Sequence, residues 1–196
     1  MKDLIEREPK VPHAINLLLF IIIISLGKTN YAQSSARDSV SPLEYEVVNS
    51  LFSDGVTDSV FIYNKTYYDK GWADYFNPQN FSRITSRVGI PTKISDSALR
   101  QILTDRILIK IKNNIYSSKP VAFKRKYLGN NIILENSFDE IKDLKKGIQR
   151  ISQPIIIDNI AIFRKIGFSE SPIFVLKKEN DKWQIIYTFY DWLIIE

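Results

Sequence analysis

The side chains available for acid–base or nucleophilic chemistry are few in kind. The chain has no cysteine and one histidine, His13, in the N-terminal segment. Beyond residue 32 neither residue occurs, which excludes Ser-His-Asp and Cys-His nucleophile systems and zinc sites built on His and Cys. What remains is carboxylate, Lys, Tyr and Ser. Asp54 and Asp58 flank Gly55, and Asp69 and Asp74 flank Gly71 and Trp72. A glycosidase needs two carboxyls about 5–9.5 Å apart across a sugar, and sequence spacing does not fix that distance. Asp beside Gly is also ordinary turn chemistry, which is the favoured reading. Asp54 and Asp58 lack the ligand spacing of an EF-hand loop. No metal site, cofactor or catalytic residue is assigned.

A second kind of chemistry is recognition by aromatic faces. Tyr63, Tyr67, Tyr68, Trp72, Tyr75, Phe76 and Phe81 fall within 19 residues. Such rings stack on sugars and their hydroxyls donate hydrogen bonds. Tyr67, Tyr68, Trp72 and Tyr75 are the candidate binding residues. The competing reading, which is favoured, is that the patch caps a core, since aromatics dominate cores. Two basic runs, Lys119 with Lys124 to Lys126 and Lys142 with Lys145, Lys146 and Arg150, suit either an anionic lipid or glycan surface or a solvated face. Asp139, Glu140 and Asp143 interleave with the second run, which favours the solvated face.

The elements that must position these residues are legible in places. Ser41-Pro42-Leu43-Glu44 is a capping box with Pro at the first helical position, and Val40 and Tyr45 are spaced as a hydrophobic staple. Leu43, Val47, Val48, Leu51 and Phe52 share one face, so a helix is expected over 42–53, ended by Gly55. Residues 59–66 read as a strand. Residues 67–94 hold Gly71, Pro78, Gly89 and Pro91, so turns and short elements are expected. A helix is expected over 96–112, capped by Asp96 or Ser97, although 107–111 also fits a strand. One or two strands are expected in 120–136, with Gly129-Asn130-Asn131 as a turn. Ser137 to Glu140 is a second capping box, opening a short helix that ends at Gly147.

From residue 154 onward the pattern is β. Residues 154–157 and 160–166 form a hairpin around Asp158-Asn159. Residues 172–178 and 182–190 form the next, around 179–181. Period-two alternation puts Trp183, Ile185, Tyr187 and Phe189 on one buried face, with Trp183 in the core. Gln184, Ile186 and Thr188 fall on the other. Trp192 has the opposite parity and packs under a helix or stands as an exposed ring, with packing favoured. The fold class expected is α+β, with two or three helices on an antiparallel sheet formed mainly by the C-terminal half.

Residues 14–26 are a nearly unbroken apolar run preceded by Lys2, Arg7 and Lys10 and followed by Asn30-Tyr31-Ala32. That is the layout of a secretory signal peptide cut after Ala32, and the run is short for a spanning helix, which needs about 20 apolar residues. An uncleaved anchor is the alternative. The cut leaves 164 residues carrying 23 Lys/Arg and 19 Asp/Glu. Residues 33–40 then form a polar leader, and 41–196 a single domain. A charge this mild, spread along the chain, gives no reason to expect a nucleic-acid partner. Without Cys there is no lipoprotein anchor, so the expected location is the periplasm or the outside, with no stable membrane anchor after cleavage.

The layout resembles uncharacterised exported proteins common in the Bacteroidetes. The resemblance rests on the signal-like segment, the strand Phe61-Ile-Tyr-Asn-Lys-Thr66, the stretch Ile151-Ser-Gln-Pro-Ile155, the K-x-x-x-x-W hairpin ending at Trp183, and Trp192. Where similar proteins often carry Cys or Gly-rich segments between the last strands, this chain has Gly167-Phe-Ser-Glu-Ser171. The resemblance implies architecture and location and carries no activity. A helix followed by a terminal meander also resembles the cone-shaped NTF2-like fold. Together these readings lead us to expect an exported, non-catalytic domain that binds an envelope component or another protein. The alternatives are a carboxylate-dependent glycan hydrolase and a structural or inhibitory partner of a secreted protein.

Overall fold

The first helix starts where its side chains dictate. In the computed structural model, which describes residues 39–53, 58–137, 139, 143, 146–167 and 169–191, α1 spans Pro42–Ser53. The Ser41 Oγ accepts the Glu44 N–H at 3.3 Å, and the Glu44 carboxylate accepts the Ser41 N–H at 2.5 Å. Two donors orphaned at the helix start are thus satisfied reciprocally. Val40 and Tyr45 are both buried, as a staple requires. The inward face differs from expectation at one position: Leu43 is 37% exposed, and Tyr45 is turned inward instead.

Strand β1, Val60–Tyr63, pairs in parallel with β3, Ile132–Glu135. This small parallel sheet lies outside the expected antiparallel one. Residues 149–152 join the two. They run parallel to 62–67 through bridges at Ile62–Gln149 and Tyr67–Ser152. On their other side, β4, Arg150–Ile151, pairs antiparallel with Lys165 and Ile166.

The larger sheet has the order β2-β8-β7-β6-β4, with β5 also on β6. It comprises β2 (Gly89–Pro91), β5 (Ile155–Ile157), β6 (Ile160–Ile166), β7 (Ser171–Glu179) and β8 (Lys182–Asp191). Most of it comes from the C-terminal half, so the fold is α+β as expected. Both hairpins close on two-residue turns. Asn180 and Asp181 have φ of 49° and 60° between paired Glu179 and Lys182, the left-handed pair that matches strand twist.

The expected helix over 96–112 is two helices, α3 (Asp96–Ile102) and α4 (Asp105–Ser117). Its cap is Ser95, whose Oγ accepts the Ala98 N–H at 3.3 Å, rather than Asp96 or Ser97. The break at Leu103 and Thr104 lets Leu103 and Leu108 both reach full burial. Residues 107–111 are helical. Within 67–94 lie a 3₁₀ helix, Gly71–Phe76, and α2, Phe81–Val88. In 120–136 the regular elements are a short 3₁₀ turn, Arg125–Tyr127, and β3. Gly147 has φ of 81°, as a helix end would need. The signal-like segment, Gly55, most of 137–145 and Trp192 lie outside the described residues.

Both faces of the large sheet are covered. On one face α2, α3, α4 and the 3₁₀ helix pack Trp72, Phe76, Phe81, Leu99, Leu108 and Ile111 against Ile160, Ile162, Ile173 and Val175. On the other, α1 and the parallel sheet pack Val47, Val48, Phe52, Ile62 and Ile132 against Ala161, Phe163 and Leu176. This double burial explains why β6 is buried along nearly its whole length, even at Arg164.

The expected single face of β8 is corrected here. Val175 pairs with Tyr187 but Leu176 pairs with Ile185, so Ile186 is an extra residue, a β-bulge. One inserted residue reverses the parity of the strand beyond it. Trp183 and Ile185 therefore join the α1-side core, while Ile186, Tyr187 and Phe189 join the helical-side core. Trp183 is core, 7% exposed, as expected. Among the described residues no helix is long and apolar enough to cross a membrane.

Candidate functional site

Among the described residues, the largest fully buried side chain is a charged one. Arg164 is 1% exposed, on the same parity of β6 as Ile160 and Ile162. Its Nη1 donates to Asp69 Oδ2 at 2.8 Å and its Nε to Ser171 Oγ at 3.0 Å. A buried guanidinium left without such partners would carry a large desolvation penalty. Asp69 sits in the segment leading into the 3₁₀ helix, and its Oδ1 accepts the Gly71 N–H at 2.8 Å. Gly71 suits this Asx turn, because a Cβ there would press to 3.3 Å from the same oxygen. Arg164 thus ties the aromatic segment to the sheet.

Opposite Arg164, Ser152 interrupts the edge strand. Its N–H donates to the Arg164 carbonyl at 2.8 Å, and its Oγ accepts the Arg164 N–H at 2.9 Å. Pro154, which has no N–H to give the ladder, comes next but one, before β5 begins. The strand opens there, and Gln153 reaches away to α1, donating from Nε2 to Glu44 Oε1 at 3.0 Å.

A shallow cleft lies over this junction. Tyr67, Tyr68, Asp69, Trp72, Ile115, Ser118, Ser152 and Gln153 line it, and the cavity itself is about 10 Å³, room for about one water. Trp72 and Ile115 lie beneath its floor, 4% and 1% exposed. Tyr67 and Tyr68 are half-buried. The Tyr68 hydroxyl donates to the Tyr116 carbonyl at 3.3 Å, and the Arg150 guanidinium lies 4.0 Å from the centre of the Tyr67 ring. Lys70 stands 6.0 Å over the Tyr68 ring.

Of the candidate binding residues, Tyr67, Tyr68 and Trp72 meet at the cleft. Tyr75 packs against the helical-side core and is not part of the lining. The aromatic patch divides in the same way: Trp72, Phe76 and Phe81 are buried, with Phe76 edge-on to Trp72 at 5.9 Å and to Phe189 at 6.1 Å. Asp69 and Asp74 part company. Asp69 faces Arg164, whereas Asp74 is exposed and 3.9 Å from Lys112. Asp54 lies outside the described residues.

Sequence reasoning missed Ile115, Ser118, Ser152, Gln153 and Arg164, which come from separate segments of the chain. Arg164 alone left a signal, as a charge on the inward parity of the apolar run Ile160 to Ile166. The basic runs also divide. Arg125 donates to the carbonyls of Leu128, Gly129 and Asn130 and holds its own loop, Lys126 lies 4.7 Å over Tyr127, and Arg150 turns to Tyr67. No protein-family model, no curated protein and no solved structure matches this chain.

Proposed function

We propose that this is an exported, non-catalytic binding domain that holds an envelope component or another protein at the Tyr67–Tyr68 cleft. The observation that carries the reading is the state of the cleft's one lining carboxylate. Both oxygens of Asp69 already accept hydrogen bonds from the chain, from Gly71 and from Arg164. A glycan hydrolase needs two carboxyls free to move a proton or attack a sugar, and this one is committed to holding the loop. The cleft is also small beside the roughly 300–1,000 Å³ of enclosed ligand pockets, which suits a surface that grips part of a larger molecule. Export rests on the charged head, apolar run and Asn30-Tyr31-Ala32 of the N-terminal segment.

Two measurements test this. N-terminal sequencing of the protein from the envelope fraction should begin at Gln33; a sequence beginning at Met1 would remove the cleaved signal peptide. Co-sedimentation of the protein with insoluble envelope material should be retained in Asp69→Asn and lost in Tyr68→Ala. Sedimentation indifferent to Tyr68 would place binding elsewhere.

A further inference from the structure

The outward side of α4 carries an apolar row set between positive charges. The side facing the sheet, with Leu108, Ile111 and Ile115, is fully buried. The opposite side holds Arg106, Ile109, Lys110, Asn113, Tyr116 and Ser117, all exposed. Ile109 and Tyr116 are 49% and 42% exposed. With 3.6 residues per turn, two residues seven positions apart fall on one row, about 10 Å from each other. Exposed apolar residues scattered singly are ordinary, but these two are aligned. The same helical spacing sets Arg106 and Lys110 along one flank of the row and Lys112 along the other, its Nζ 5.9 Å from the centre of the Tyr116 ring. Among the described residues neither Arg106 nor Lys110 forms an ion pair. Two carboxylates stand at the margins: Asp105 is bonded to Arg100, and Asp74 lies 3.9 Å from Lys112.

We infer that this face of α4 docks on an anionic lipid surface, with Ile109 and Tyr116 entering the headgroup region and Arg106, Lys110 and Lys112 meeting lipid phosphates. The inference rests on the envelope location proposed above and adds a second contact beside the cleft, where the Tyr68 hydroxyl donates to the Tyr116 carbonyl at 3.3 Å. The complement of an apolar row between cations is a negative layer above an apolar one, which a bilayer supplies. Long Arg and Lys side chains lay their stems on apolar surface and send the charge outward. Tyrosine suits the same boundary, its ring apolar and its hydroxyl polar. An acidic protein segment shares the charge, but the outward side of one helix is convex, and a protein partner would need a groove shaped to it. A bilayer conforms without one. Two apolar side chains make a weak contact, so it adds to the hold of the cleft without replacing it.

The test is partition of the full chain onto vesicles, measured by lipid titration on pure phosphatidylcholine and on a mixture with phosphatidylglycerol. The apolar run 14–26 is common to every sample, so its share cancels in the ratio of variant to parent. Arg106→Gln/Lys110→Gln should weaken partition onto the anionic vesicles at least about tenfold, given about fivefold per basic residue, and this loss should shrink as salt rises to physiological strength. Ile109→Ser/Tyr116→Ser should weaken it about fivefold. Both variants should keep the parent's thermal midpoint to within about 2 °C, as exposed positions do. Partition untouched by the basic pair would overturn the anionic assignment. Loss with the basic pair but none with the apolar pair, or a poly-glutamate peptide bound as tightly as anionic vesicles, would overturn the bilayer in favour of an acidic protein. Any of these failures, with envelope sedimentation still lost in Tyr68→Ala, would leave the cleft reading standing. Vesicle binding as described, with sedimentation indifferent to Tyr68, would overturn the cleft and leave this face of α4.

Discussion

The two cores of this domain are built differently, although one sheet serves both. The helical-side core is a continuous aromatic cluster: Phe76 and Phe81 meet Phe189 at 6.1 and 5.9 Å, and Tyr187 lies 5.0 Å from Phe189. The α1-side core holds as many rings, but in pairs such as Tyr45 with Phe123 at 6.2 Å and Phe163 with Phe174 at 6.1 Å, and polar links, part-buried or exposed, run along its border. Glu44 joins α1 to Gln153, Tyr45 accepts the Lys124 N–H at 2.6 Å, and Lys178 reaches Glu46 at 2.9 Å beside Trp183. The first side is held mainly by its ring packing, with the Tyr187 hydroxyl donating to Asp96 at 2.6 Å and Arg164 bonded to Asp69 at its margin. The second is held by packing together with directional bonds to distant segments. The cleft lies where the two meet, beside Arg164.

The largest contrast should appear on truncating an aromatic from each side. Phe76→Ala removes a ring packed edge-on to two others, and such a deletion typically costs about 3–5 kcal/mol. Trp183→Ala should fall at the lower end, about 3 kcal/mol. Trp183 keeps slight exposure, and its indole N–H is buried with no hydrogen-bond partner among the described residues, so its removal also relieves an unmet donor. Chemical denaturation of both variants measures the difference. Equal losses, or a Trp183→Ala midpoint unchanged from the parent, would break the contrast.

A smaller effect is expected at the junction. Asp69→Ala strands the Arg164 guanidinium in the core, and breaking a buried pair costs about 3–5 kcal/mol. Asp69 is itself one-third exposed, so solvent reduces this to about 2 kcal/mol. Asp69→Ala/Arg164→Leu should recover part of the loss, because an apolar side chain needs no counter-charge. A double variant less stable than Asp69→Ala would contradict the role given to the pair.

The smallest effect is a pH dependence that the two cores share, since burial also raises the Tyr45 hydroxyl of the α1-side core above its ordinary value. Burial raises the Tyr187 hydroxyl above its ordinary value of 10.0, and the hydrogen bond to Asp96 adds to the rise. Folding therefore favours the protonated form. That stability is whole below pH 10 and is lost as pH climbs from 10 toward the folded-state value, while the unfolded chain ionises. Tyr187→Phe should flatten this decline relative to the parent. Gly89 belongs to the same arrangement: a Cβ there would lie 2.0 Å from the Tyr187 hydroxyl. An alkaline decline unchanged in Tyr187→Phe would assign it to other groups.

Legibility in the sequence divides along the line between local and distant causes. The capping box at Ser41 and the turns at Asp158-Asn159 and Asn180-Asp181 were legible because each depends on residues within a few positions of one another. The β8 faces were not. The bulge at Ile186 has no signature beyond an apolar neighbour, and it is the competition of two cores for one strand that sets it. Binary alternation alone therefore assigned Tyr187 and Phe189 to the same face as Trp183. The single helix expected over 96–112 failed similarly, since the break at Leu103 and Thr104 answers to packing across the sheet. At the cleft, Tyr67, Tyr68 and Trp72 were visible as a dense aromatic run. Ile115, Ser118, Ser152 and Gln153 were not, because only the fold brings their segments together.

The central claim is that Tyr68 belongs to a binding surface rather than to either core. Tyr68→Ala measured beside the parent, by thermal unfolding and by co-sedimentation with envelope material, tests it directly. The account predicts loss of binding with a midpoint lowered by no more than about 1–2 °C, the effect of a surface change of about 0.5 kcal/mol. A midpoint lowered as far as that of Phe76→Ala, or binding that survives the substitution, would contradict it.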